Sequence, residues 1–227
     1  MPFDLDIKHE TLNYVGKFVR PTFELWGRGG PIIEHLYDAL NPFGLSLANF
    51  QVTGNGPTVA DPVITANIAG VGHLKFSFDK IEFSISRFTT DLFQALPSIL
   101  QNFSAWISES VPHFGYASHS FSYFAHAFVK DATPEEVLKN MNGRSLSSAG
   151  ICVGNGAIFN YSLPEKNWEI QFIADKSRQL AGGIFLNLSI TINEGEQTFE
   201  EILGEGREYL KNVLLELELR LPELDEQ

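Results

Sequence analysis

The side chains able to do acid–base or metal chemistry in this chain are six histidines, one cysteine and twenty-eight carboxylates. A metal site legible in sequence needs ligands at helical or turn spacing, the alternative being one assembled across the fold from His73, His119 or His126. His9, His35, His73, His113, His119 and His126 show no His-Glu-x-x-His or comparable pattern. His119 and His126 lie seven apart, which on one strand puts them on opposite faces. Cys152, between Ile151 and Val153, fits a buried small hydrophobe better than a nucleophile, and no serine sits in Gly-x-Ser-x-Gly. No catalytic residue, metal or cofactor is therefore expected from local motifs. An enzyme would have to assemble its site across the fold, from His73, His119, Arg28 and nearby acids.

Gly27-Arg28-Gly29-Gly30 is the stretch best suited to holding an anion. It precedes a predicted helix, where free backbone amides and an arginine can meet a negative group. Pro31-Ile32 stand where a phosphate loop needs Lys-Ser/Thr, and the dinucleotide fingerprint lacks its third glycine. Gly27, Arg28, Gly29 and Gly30, with His73 and His119, are the candidate binding residues. Their plainer reading is a tight turn and ordinary histidines.

Gly54-Asn55-Gly56 recurs as Gly154-Asn155-Gly156. Asn-Gly favours turns between antiparallel strands, because both central residues must take positive φ. Similar elements follow each copy, and this predicts an internal duplication: strand, short helix, several antiparallel strands, long helix, twice over. The expected class is α+β, an antiparallel sheet with helices packed on one face. The predicted layout is an N-terminal arm at 1–16, one unit at 17–112 and a second at 113–227, together one pseudo-twofold domain.

Periodicity supplies the elements. Phe18–Trp26 reads as a strand interrupted by Pro21, and Ile32, Ile33, Leu36 and Leu40 mark a helix. Leu45–Thr53 and Val63–Ile68 read as strands. His73–Ser86 alternates on both sides of Asp79-Lys80, which favours a hairpin turn there. Leu92 to Ile107 is a long helix containing Pro97, where a kink or a start in two pieces is expected. Ser118–Val129 is an aromatic strand, and Thr133-Pro134-Glu135-Glu136 opens a capped helix. Strands follow at 150–153, 157–162, 168–174 and 184–192, then a helix from Thr198. Leu215, Leu217, Leu219 and Leu221 alternate like a strand, but helix propensity extends the helix through 213–221.

Bulk properties narrow the function. The chain has 227 residues, is 44% hydrophobic and holds nineteen phenylalanines, enough for a sizeable core. Its net charge of −12 opposes non-specific nucleic-acid binding. Eleven acids from Glu194 onward face Arg207, Lys211 and Arg220. One cysteine, an acidic start and no apolar run of about 20 residues predict a cytoplasmic protein without a membrane span. The leading expectation is a non-enzymatic protein that binds a partner protein or small apolar ligand through its sheet, with a homodimer as one form. Two alternatives are an enzyme with a cleft between the units, and an acidic antagonist of a basic protein. The antagonist would use Glu200, Glu201, Glu205 and Glu208.

Overall fold

The computed structural model describes residues 2–26, 29–54, 62–68, 70–86, 90–142, 156–193 and 199–221. In chain order the elements are β1 (Phe3–Phe18), α1 (Phe23–Trp26), α2 (Gly29–Leu40), β2 (Phe50–Thr53), β3 (Val63–Ile68), β4 (Gly72–Phe76), β5 (Lys80–Ile85) and α3 (Thr90–Ser110). They continue as β6 (Tyr116–Val129), α4 (Pro134–Asn142), β7 (Ala157–Leu163), β8 (Trp168–Lys176), β9 (Ile184–Asn193), α5 (Phe199–Glu216) and β10 (Leu219–Arg220). The strands join in the order β2-β3-β4-β5-β1-β6-β9-β8-β7, with β10 parallel to the start of β1. This is a large antiparallel sheet with helices apart from it, the α+β class that the sequence predicts. Among the described residues no helix is long and apolar enough to cross a membrane.

Two compact units share these elements, one of residues 12–121 and 191–203, the other of 1–11, 122–190 and 204–227. In the 12–121 unit, alternate residues of β3, β4 and β5 are buried, including Ile64, Leu74, Phe76, Ile81 and Phe83. Leu36 of α2 and Leu100 and Phe103 of α3 are buried too, and Phe103 meets Phe76 edge-on at 5.3 Å. In the 122–190 unit, Trp168, Phe172, Leu186 and Leu188 are buried with Leu138 of α4 and Leu214 of α5. Thr133 caps α4 as expected: its backbone N–H donates to Glu136 Oε2 at 2.8 Å, and Glu136 N–H donates to Thr133 Oγ1 at 3.3 Å.

Four expectations are corrected. Residues 3–16 are not an arm but most of β1, a strand of 16 residues. Its buried side changes parity, from Leu5 to Leu12, Tyr14, Gly16 and Phe18, so no single period marks it. Phe18–Trp26 is not a strand: past Phe18 the chain turns, and Leu25 N–H already bonds Thr22 C=O at 3.1 Å. Pro21 offers no N–H to a sheet ladder. Of Leu45–Thr53 only Phe50–Thr53 is strand, because Leu47–Asn49 forms a 3-10 turn with Ser46 N–H donating to Asn49 Oδ1 at 2.8 Å. Finally, α5 stops at Glu216; Glu218 takes φ 59°, and Leu219–Arg220 pairs with Phe3 and Asp4.

The hairpin at 79–80 is present, with Ser77 N–H bonding Lys80 C=O at 3.0 Å and β4 antiparallel to β5. Pro97 lies within a continuous α3. The expected duplication is not confirmed. Gly54 leaves β2 with φ 112° and Gly156 enters β7, while Asn55, Gly56, Gly154 and Asn155 lie outside the described residues, as do Cys152 and the strand expected at 150–153.

Candidate functional site

Beyond Phe18 the chain is fastened to the tip of the β4–β5 hairpin. Phe18 N–H donates to Asp79 C=O at 2.7 Å, and Thr22 gives both its N–H (2.8 Å) and its hydroxyl (3.2 Å) to Phe78 C=O. Thr22 is fully buried, so α1 is held in place although it has a single turn. This clamp sets four rings in a run of three contacts. Phe23 lies 4.8 Å from Phe78, Trp26 lies 4.7 Å from Phe78, and Trp26 stacks on buried Phe76 at 5.8 Å and 10°.

The patch is open on one side. Phe23 is 54% exposed, and Trp26 and Phe78 are half-buried. The indole Nε1 of Trp26 is itself buried and has no hydrogen-bond partner among the described residues. An unmet buried donor costs about 1–3 kcal/mol, so folded chains leave few of them. Chemically the patch offers an apolar ring surface, and beneath it lies one buried N–H without an acceptor among the described residues. Gly29 and Gly30 open α2 immediately afterwards; Gly27 and Arg28 lie outside the described residues.

His73 is on a different surface of the same unit. The register aligns Asn67, His73, Ser84 and Asn13 across β3, β4, β5 and β1. All four are half-buried, on the side of the sheet away from the core. Thr65, Lys75, Glu82 and Val15 make the next row. Burial, then Lys75, holds His73 below the usual imidazole range against the opposing pull of Glu82.

His119 belongs to the interior. It is buried, and its Nδ1 lies 2.7 Å from the hydroxyl of buried Tyr14. Tyr14 neighbours Asn13, so His119 and His73 are on opposite faces of the sheet and do not meet in one cleft. Tyr116 stands beside His119, ring centroids 4.7 Å apart, and shares a 2.6 Å hydrogen bond with Ser104. Burial pushes His119 down to about 4, and it pushes Tyr116 up to about 12 against the lowering effect of the Ser104 hydrogen bond. These groups form a neutral, structural network.

The 122–190 unit holds two further polar pairs. His126 Nδ1 lies 2.8 Å from Ser177 Oγ, which also accepts from Leu180 N–H at 2.8 Å, so the serine fastens its own turn. Tyr123 donates to Glu10 Oε2 at 2.8 Å, and burial raises the Glu10 carboxyl above its usual range. Of the acids on α5, Glu201 and Glu208 are exposed, and Glu205 is paired with Lys166 at 2.7 Å. The Glu200 side chain lies outside the described residues. Among the described residues no cluster of three or more His, Cys, Asp or Glu is placed to hold a metal.

Sequence reasoning counted Phe78 among strand aromatics able to line an apolar pocket, but read Phe23 and Trp26 only as strand residues. The signal available was two aromatics just past Pro21, where a strand could not continue; their partner Phe78 sits about fifty residues on.

No protein-family model matches the chain, and no curated protein does. Among solved structures, the Pct1 RNA triphosphatase of S. pombe aligns over 92% of this chain and 79% of its own, at 6% identity and a TM-score of 0.13. That likeness is too slight to carry an argument about fold or function.

Proposed function

We propose that the protein is a non-enzymatic, cytoplasmic binding protein whose ligand is small and apolar and carries one hydrogen-bond acceptor. The ligand rests on Phe23, Trp26 and Phe78. The observation that carries this reading is the buried Trp26 Nε1, without a partner among the described residues, beside a ring that is 54% exposed. Aromatic walls supply the apolar contact of a ligand site, and a few placed polar groups set orientation. Nε1 is itself buried, so a ligand carbonyl reaches it only by entering between the rings; a group that did so would replace an unmet donor with a hydrogen bond and select among apolar compounds.

The test uses the indole N–H resonance of Trp26, assigned by its loss in Trp26→Phe. Apolar carbonyl compounds are expected to shift it in a saturable way, and hydrocarbons of the same size to bind at least about tenfold more weakly. Phe23→Ala removes an exposed ring and is expected to weaken binding while leaving the unfolding temperature nearly unchanged. If neither compound class moves the resonance, and native mass spectrometry of freshly purified protein finds no retained small molecule, the reading fails.

A further inference from the structure

The outer face of the sheet in the 12–121 unit carries charge opposite to that of the chain. In a protein of net charge −12, this face of β1, β4 and β5 presents Lys17, Lys75 and Lys80 against Glu82 alone. Glu82 stands directly across from Lys75, yet its carboxylate is ion-paired with Lys80 on its own strand. Lys75 is thus a half-buried residue whose ammonium has no ion pair among the described residues. Two residues back on the same face is His73, with Ser84 opposite it and Asn13 opposite Ser84. Neighbouring strands lie about 4.8 Å apart, so these side chains form a short row of hydrogen-bonding groups with a cation at its side.

We infer that His73, Lys75, Ser84 and Asn13 form a site for a small oxyanion, the carboxylate or phosphate group of a metabolite. This goes beyond the Trp26 patch and stands independently of it. The chemistry is that of charge-assisted hydrogen bonds: an ammonium, a hydroxyl, an amide and an imidazole N–H all donate to anionic oxygens. Half-burial keeps solvent and salt from screening these contacts fully. His73 makes the site proton-linked. Burial and then Lys75 lower the proton affinity of its imidazole, opposed by Glu82, with Lys80 and Lys17 the other charges on this face. A bound anion favours the imidazolium, so binding takes up a proton and strengthens as pH falls.

The experiment follows the His73 ring proton by NMR in the intact protein. Sodium phosphate and sodium acetate are titrated separately, with sodium chloride holding ionic strength constant. A saturable shift and a rise in the His73 pKa are expected. Lys75→Ala, or Lys75→Gln should the first fold poorly, is expected to weaken binding about tenfold or more, the worth of one charged hydrogen bond. Ser84→Ala should weaken it less, and Lys139→Ala, at an exposed residue of the other unit, not at all. Saturation by phosphate alone assigns a phosphate-bearing ligand, and saturation by both admits carboxylates. A shift that chloride reproduces at equal ionic strength, or that survives loss of Lys75, overturns the site. Phe23→Ala should leave the His73 titration unchanged, so each reading can fail without the other.

Discussion

His119 is a base that burial makes hard to protonate. Its ordinary value of 6.5 falls to about 4 in the folded chain through burial. Below pH 6.5 the unfolded chain therefore takes up a proton that the folded chain refuses. Stability from this group is complete above that pH, declines as pH falls toward 4, and levels off below. The swing is about 3 kcal/mol at most. His73 and His126 are lowered too and act in the same direction, whereas Asp4, Glu135 and Glu136 act only at lower pH. Urea unfolding at pH 7.5, 6 and 4.5 should show the decline in the native protein and a much flatter profile in His119→Gln. A neighbouring glycine supports the same network: a Cβ at Gly16 would lie 2.6 Å from the Tyr116 ring and 2.7 Å from the Tyr14 hydroxyl. Gly16→Ala should cost about 1–3 kcal/mol by overpacking, read as a lowered unfolding midpoint. The opposed faces of His119 and His126 could be read from their spacing. The neutral state of His119 could not, because Tyr14, its partner, is 105 residues away.

Elements defined by local contacts were readable, and those finished by distant ones were not. The start of α4 needs only Thr133, Pro134 and Glu136, all adjacent, and the reciprocal hydrogen bonds follow from the sequence. Thr133→Ala should remove about 1 kcal/mol of stability by denaturant unfolding, with Thr133→Ser nearly neutral. The end of α5 obeys a different logic. Leu and Glu favour helix throughout, but Leu219 is fully buried beside β1 and Phe3 N–H bonds Glu218 C=O at 2.7 Å. Reaching that pairing requires the helix to end early, with Glu218 at φ 59°. A left-handed conformation costs a residue with a Cβ about 1–2 kcal/mol, and glycine avoids it. Glu218→Gly should therefore raise stability by up to about 1 kcal/mol once glycine's own entropy is counted. A fall in stability would mean that the Glu218 side chain contributes something that outweighs this strain.

At the scale of the whole molecule, the first eighteen residues decide the sheet. Outward from β1 the strands run β5-β4-β3-β2, and outward from β6 they run β9-β8-β7. Strands β2 to β5 are consecutive hairpin partners, so alternation within each was enough to find most of them. Strand β1 has no such neighbour in sequence. It pairs with β5 from Leu12 to Lys17 and with β10 at Phe3 and Asp4, across separations of about 65 to 216 residues. Its charged residues and shifted burial made it resemble an arm, and only the fold shows why polar residues are tolerated there: Lys8 and His9 are exposed while Leu12 and Tyr14 are buried. The two descriptions predict different outcomes for a truncation. Loss of an arm costs little, whereas loss of a central strand leaves the ladders of its neighbours unmet and strips buried area from the core. Deleting residues 2–16 should abolish cooperative thermal unfolding or leave the protein insoluble, because Leu5, Leu12 and Tyr14 go with it. Circular dichroism melts and the soluble fraction on expression would read this out. A truncated protein that melts in one sharp transition near the full-length temperature would remove β1 from the centre of the sheet.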